Sequence, residues 1–300
     1  MSIIDISTVI PVYNRCDELR MTLQSLARQT LPVECFEVII ADDGSAEDVQ
    51  SVLKEFSSLQ IKYVYQSDEG FRVSAARNLG VSQSDGRIIV YNDNGIMLKS
   101  DALERHLAYH QSNDDGFVVL GNMFGTAYRA DQEKMRHILD NHPPDEAIAL
   151  MKEDGSMGDG RERNFASFGE DVSQWYLPWV GLWSGHFSVK AAFVKTHGVR
   201  WNEGFTTWGG EDAEYGLQLC KAGAKLCFCR DIEVVHYPTK GRMLDLSSPE
   251  FQANHKKMRH YILSLHPSRA LEAYAELGGA VNMPEIRAEF FKKKGWTDLE

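Results

Sequence analysis

Short apolar, β-branched runs that stop at polar turn residues alternate, over the first third of the chain, with stretches whose apolar positions fall three and four apart. "STVIPVY" and "FEVIIADDGS" are runs of the first kind, and "CDELRMTLQSLARQT" between them is of the second. The pattern repeats: "AEDVQSVLKEF" predicts a helix, "IKYVYQ" a strand, "VSAARNLGVSQS" a helix and "RIIVYND" a buried strand. Alternation of this kind predicts an α/β fold with a mostly parallel, Rossmann-like sheet flanked by helices. Ligands of such sheets bind beyond the carboxyl ends of the strands, where "PVYN", "ADDGS", "SDEGFR" and "YNDNG" all fall.

A helix is predicted at "SDALERHLAYHQ" and a strand at "FVVLGN". Residues 128–178 then turn polar and irregular, and "NHPPDE" and "EDGSMGDGRER" read as helices plus a mobile loop outside the core. Order resumes at "GHFSVKAAFVKT", "AEYGLQLCKAG" reads as a helix closed by a glycine, and "KLCFCRDIEVVHY" as one or two strands. From residue 248 the chain reads as terminal helices, and no internal repeat is present.

Composition narrows the function. With 300 residues, 43% hydrophobic and 25% charged, the chain can bury a sizeable core. A net charge of -11 gives no field that gathers polyanions, and the one dense basic block is "KKK" at 292–294, so neither nucleic acid nor an anionic membrane surface is an expected partner. No run approaches the roughly 18 to 20 apolar residues of a membrane span. "MSIIDISTVIPVYN" has no basic leader, and a cytoplasmic location is expected. The five cysteines (16, 35, 220, 227 and 229) agree with it, being odd in number and without metal-ligand spacing; "CFC" reads as buried thiols on a core strand.

Aspartates at consecutive strand ends suit a nucleotide, since one can accept from a base or ribose hydroxyl and another can hold a divalent cation on a diphosphate. "WGGEDAEYG", Trp208 to Gly216, concentrates acids at a predicted helix start. "VIPVYNR", "VIIADDGS", "GFRVSAARNLG", "YNDNG", "WNEGFTTWGGEDAEYGLQLCKAG" and "VVHY" occur in the order found in family 2 glycosyltransferases, and over roughly residues 5–240 the chain resembles that family and the related chondroitin-polymerase-like and family 7 enzymes.

The resemblance implies a GT-A fold with a helical C-terminal extension. It divides the chain into a nucleotide-sugar-binding half (1–125), an acceptor-binding and catalytic half of the same domain (126–245) and the extension (246–300). The implied activity is inverting transfer of one sugar from a nucleotide-sugar, expected to be UDP-linked, to a hydroxyl of a small molecule, glycan or peptide. Pro11, Tyr13, Arg15, Asp43, Arg77, Asp93 and Asn94 are the implied donor-binding residues, with Asp43 reading the base and Asp42 structural. Trp208, Gly209, Gly210 and Glu211 are the implied acceptor residues, and Asp212 the general base, kept ionised by the helix N-terminus. The glycines are expected to let backbone approach the sugar, Glu214 to be a first-turn residue and Trp183 a core aromatic.

The family places Asp-x-Asp where this chain has "NDNG". Counting from both sides sets Asp93 at the first acid and Gly95 at the second; a shift by one residue sets Asn92 and Asn94 there instead. Either register lacks an anionic ligand, so Mn or Mg is expected to bind weakly or to be dispensable, through Asp93 and the His236 of "VVHY". A Gln-x-x-Arg-Trp signature of processive relatives is absent, hence single addition. A nucleotidyltransferase fits poorly, because "PVYNRCDE" stands where a Gly-rich basic loop belongs; a non-catalytic sugar-binding descendant of a transferase is the alternative left by the altered acids.

Overall fold

The computed structural model describes residues 4–127, 130–169, 171–238 and 248–296 of the chain. The apolar runs become β1 (Ile6–Val12) and β2 (Phe36–Asp42), each buried at every position, which is why they read as continuous rather than alternating runs. Between and after them lie α1 (Cys16–Leu26), α2 (Val49–Lys54), β3 (Ile61–Tyr65), α3 (Val73–Ser82), β4 (Ile88–Asn92), β5 (Ile96–Leu98) and α4 (Ala102–Ser112). The chain continues through β6 (Phe117–Phe124), α5 (Gln132–Asn141), α6 (Pro144–Asp154), α7 (Glu162–Phe168), β7 (His186–Lys190), α8 (Ala191–His197), α9 (Glu211–Lys221) and β8 (Lys225–His236). Three further helices follow: α10 (Pro249–Leu265), α11 (Arg269–Leu277) and α12 (Pro284–Lys294).

The strands form one eight-stranded sheet in the order β3-β2-β1-β4-β7-β6-β8-β5. β1 to β4 pair in parallel through β3-β2-β1-β4, as the alternation predicts, but β7 runs antiparallel to both β4 and β6, and β5 antiparallel to β8. The sheet is therefore mixed. "KLCFCRDIEVVHY" resolves as one strand of 12 residues, with a register break opposite Gly121 and Asn122. That break makes one strand read as two.

One expectation is overturned in the irregular region. Met157, Asp159 and Arg161 of "EDGSMGDGRER" are buried rather than outside the core. Arg161 Nε and Nη2 donate to the Asp159 carboxylate at 3.0 and 2.6 Å, Nη2 also donates to the Gly121 carbonyl, and Asp159 Oδ2 accepts from the Met123 amide at 2.8 Å. Two charges can sit there because each satisfies the other and the backbone of β6; composition alone reads them as surface. Among the described residues no helix is long and apolar enough to cross a membrane.

Candidate active site

The carboxyl ends of β1, β2 and β4 and the start of α9 meet at a cleft of about 400 Å³. Of the expected residues, Pro11, Tyr13, Arg15, Asp43, Arg77, Asp93, Asn94, Trp208 and Glu211 line it. Gly209, Gly210, Asp212 and His236 do not form its walls. Val12, Gly70, Phe71, Val73 and Ser184 line it unforeseen, although "SDEGFR" had already marked the Gly70–Phe71 turn as a strand end.

The end of β2 separates its two acids. Asp42 is held by the Tyr63 hydroxyl at 2.7 Å and the Ser45 amide at 2.8 Å, inside the fold. Asp43 faces the cleft, accepting from the Gln66 amide and from the Arg72 backbone N–H at 3.0 Å; burial pushes its carboxyl above the usual range, against those bonds. Tyr13, half-exposed, donates to Asp68 at 3.0 Å.

After β1, Asn14 and Arg15 both adopt the left-handed region, with φ of 56° and 62°. Asn14 Oδ1 accepts from the amides of Ala46 (2.8 Å) and Glu47 (3.2 Å), and the Glu47 carboxylate accepts from the amides of Arg15 (3.1 Å) and Cys16 (2.8 Å). These bonds hold a conformation that side chains other than glycine adopt at a cost.

At the end of β4 the side chains divide between the core and the cleft. Asn92 turns into the core: its Nδ2 donates to the Ile96 carbonyl at 3.1 Å, so its Oδ1 accepts from His186 Nδ1 at 2.8 Å. His186 Nε2 must then accept from His106 Nε2 (2.9 Å), His106 Nδ1 from the Ser188 hydroxyl (2.8 Å), and Ser188 Oγ from His110 Nε2 (2.8 Å). Every ring in this chain is neutral, and burial pushes His186 down to about 3. Asp93 and Asn94, not Asn92, face the cleft.

Arg77 is 2% exposed and points inward rather than to the cleft mouth. It donates to Asp93 at 2.8 Å and Ser184 at 2.9 Å, lies 3.6 Å from Glu211, and stacks over Trp201 at 4.3 Å. These contacts fix the strand-end acid Asp93.

The acidic loop opens α9. Gly209 and Gly210 have φ of 102° and 95°, and an added Cβ would meet His255 at 3.4 Å and Met258 at 3.1 Å, both on α10. The turn and the packing of α10 both call for these glycines. Glu211 is buried and accepts from the Gly209 amide at 3.2 Å. Asp212 accepts from the Ala213 amide at 2.7 Å and stands within electrostatic reach of Glu211, Arg77 and Asp93. Burial first, and the Glu211 charge second, push its carboxyl up to about 7, against the Ala213 hydrogen bond and the Arg77 charge. Glu214 is more than a first-turn residue: it is 2% exposed and accepts from Gln218 at 2.7 Å and from His266 at 2.8 Å. Trp208 is 45% exposed, packed against Phe251 and His255 of α10. Trp183 is partly buried against the core and lies 5.4 Å from the Arg161 guanidinium.

The cation site fits poorly. His236 ends β8 beside the turn, where the Tyr237 amide donates to the Gly95 carbonyl at 2.8 Å, and burial holds its ring below the usual range. Asn94 Oδ1 is buried without a hydrogen-bond partner, but an amide supplies no charge. The Asp93 carboxylate is engaged by Arg77, and among the described residues no group of three His, Cys, Asp or Glu side chains comes together to hold an ion.

This cleft sits on a recognisable sequence. Residues 7–165 match the family model for glycosyl transferase family 2. The chain belongs to that family. It is 35% identical over 239 residues to validoxylamine A glucosyltransferase of Streptomyces hygroscopicus subsp. jinggangensis, covering 78% of this chain and 56% of the relative. It is 33% identical over 242 residues to chondroitin synthase of Escherichia coli, covering 76% and 33%. The chain thus spans about half the length of the Streptomyces relative and a third of the other. The fold is shared with S. aureus TarS 1-349 in complex with UDP-GlcNAc (TM-score 0.63, 17% identity, 96% of this chain and 73% of that one). It is shared too with the mannosyltransferase PcManGT of Pyrobaculum calidifontis in complex with GDP-Man and Mn2+ (TM-score 0.61, 14% identity, 98% and 76%). The architecture is accordingly GT-A.

Proposed function

We propose that the chain is an inverting glycosyltransferase that moves one sugar from a nucleoside-diphosphate donor, UDP-linked, to a hydroxyl acceptor. One observation carries the reading: Asp43, just past β2, and Glu211, at the start of α9, line a single cleft, with Asp212 next to Glu211 on that helix. Asp43, Pro11 and Tyr13 take the nucleoside, and the loop of Trp208 to Glu211 takes the acceptor, whose C–H face stacks on the exposed indole. Asp212 removes the acceptor hydroxyl proton as that oxygen attacks the anomeric carbon from the face opposite the departing diphosphate; one displacement inverts the centre. Glu211, fixed by the Gly209 amide and by Arg77, orients the acceptor. No step is routed through a metal, and Mn or Mg is weakly held or dispensable. The names of the Streptomyces relative and the TarS complex support a UDP-hexose donor.

The test is UDP release from UDP-sugars in the presence of small-molecule, glycan and peptide hydroxyl acceptors. Asp212→Asn is expected to lose transfer while UDP affinity stays within a few-fold, since a base acts on the chemical step. Retention of about a tenth of the wild-type rate by the folded variant would reject Asp212 as base. Binding without transfer to any acceptor would point instead to a sugar-binding protein.

A further inference from the structure

Gly95 stands where the register with Asp93 as first acid puts the second acid of Asp-x-Asp, and an arginine lies against the space that acid would enter. Gly95 has φ of 93°, and a Cβ added to it would lie 3.4 Å from Arg15 Nη2. The guanidinium therefore rests on the same turn as Asp93 and Asn94. We propose that Arg15 is the fixed positive charge that receives the diphosphate of the nucleotide donor, in the place that a divalent cation fills where both acids are present.

Two further observations support it. First, the backbone is built to put this side chain there: Arg15 is left-handed, its N–H is held by Glu47, and its carbonyl accepts from Asn94 Nδ2 at 3.2 Å. Strain of this kind persists where the surroundings enforce it, and clusters at ligand sites. Second, Glu18 lies 3.3 Å from Nε, which steadies the stem of the fork, while the side chain stays 35% exposed and lines the cleft. A guanidinium pairs two phosphate oxygens at once and keeps its charge at every working pH. The inference rests on the donor reading above.

Calorimetric titration in EDTA tests it, with UDP against uridine and GDP against guanosine as the paired probes. The wild type is expected to bind its nucleoside diphosphate equally well, within about twofold, with and without EDTA. Arg15→Gln should lose about tenfold or more for the diphosphate while the nucleoside changes less than about twofold, and Arg15→Lys should fall between, keeping charge but not the fork. Gly95→Asp should pair with Arg15, weaken the diphosphate in EDTA and regain it with Mn. Loss of wild-type diphosphate binding in EDTA, or equal losses for nucleoside and diphosphate in Arg15→Gln, would overturn the role of Arg15 alone. A wild type that binds none of the four probes would overturn the donor reading itself.

Discussion

At the scale of single residues, the acids in and beside the cleft carry the sharpest consequences. Asp212 has a folded-state carboxyl pushed from 3.8 to about 7, so folding favours its protonated form. The stability linked to that proton is fully present below the unfolded value and is lost as pH rises through about 7. Asp212→Asn, which cannot ionise, should therefore melt higher than the wild type at pH 8, by roughly 2 to 6 °C for a gain of about 1 to 2 kcal/mol, and match it at pH 4. Thermal melts of both proteins at the two pH values check this. The same titration sets the rate: kcat/KM should fall about tenfold per pH unit below about 7 and level off above it, because only the carboxylate takes a proton. Asp43 sits at the other end of the cleft with its oxygens in a buried pocket. Asp43→Ala should weaken UDP by about 1 to 3 kcal/mol if the carboxylate accepts from the base, and unchanged calorimetric affinity would remove it from the pocket.

At the scale of elements, α9 and α10 form one unit. Lys221 can only donate to His266 Nδ1 (3.0 Å), so His266 Nε2 carries the proton that it gives to Glu214. The loop before α9 is pinned from the same side, with Asn254 Nδ2 donating to the Trp208 carbonyl at 2.8 Å. Glu214→Ala leaves Gln218 and His266 without their shared acceptor and should destabilise by about 1 to 3 kcal/mol in urea unfolding, with donor affinity little changed. Gly210→Ala acts on the turn itself, at φ of 95° with Met258 3.1 Å from the new methyl, and should reduce transfer far more than Glu214→Ala does. Equal transfer rates for the two variants would show that the turn does not set the catalytic geometry.

At the scale of the whole molecule, the C-terminal helices close a core that the sheet leaves open: Met258, Ile262, Leu271 and Tyr274 pack with Trp179, Phe205 and Leu217. A chain ending at residue 247 should expose that apolar surface, bind a hydrophobic dye strongly and lose the Asp212 geometry; a truncated protein that melts like the wild type would contradict this. The strands and helices of the first third were legible from periodicity because local burial on both faces of β1, β2 and β4 leaves an apolar run that no other packing explains. Asp43, Asp93 and Asn94 were legible for a related reason, since strand ends of such a sheet converge. Three things were decided only by tertiary structure. The antiparallel insertion of β7 depends on pairing between strands far apart in sequence, which periodicity does not encode. The burial of Asp159 with Arg161 depends on each neutralising the other, so two residues that look like surface become core. The contact of Gly95 with Arg15 depends on two turns 80 residues apart meeting at one point. The sequence determined that acids would gather at the strand ends; the fold determined which of them face the cleft and which partner each takes, because a charge's partner is set by what packs against it.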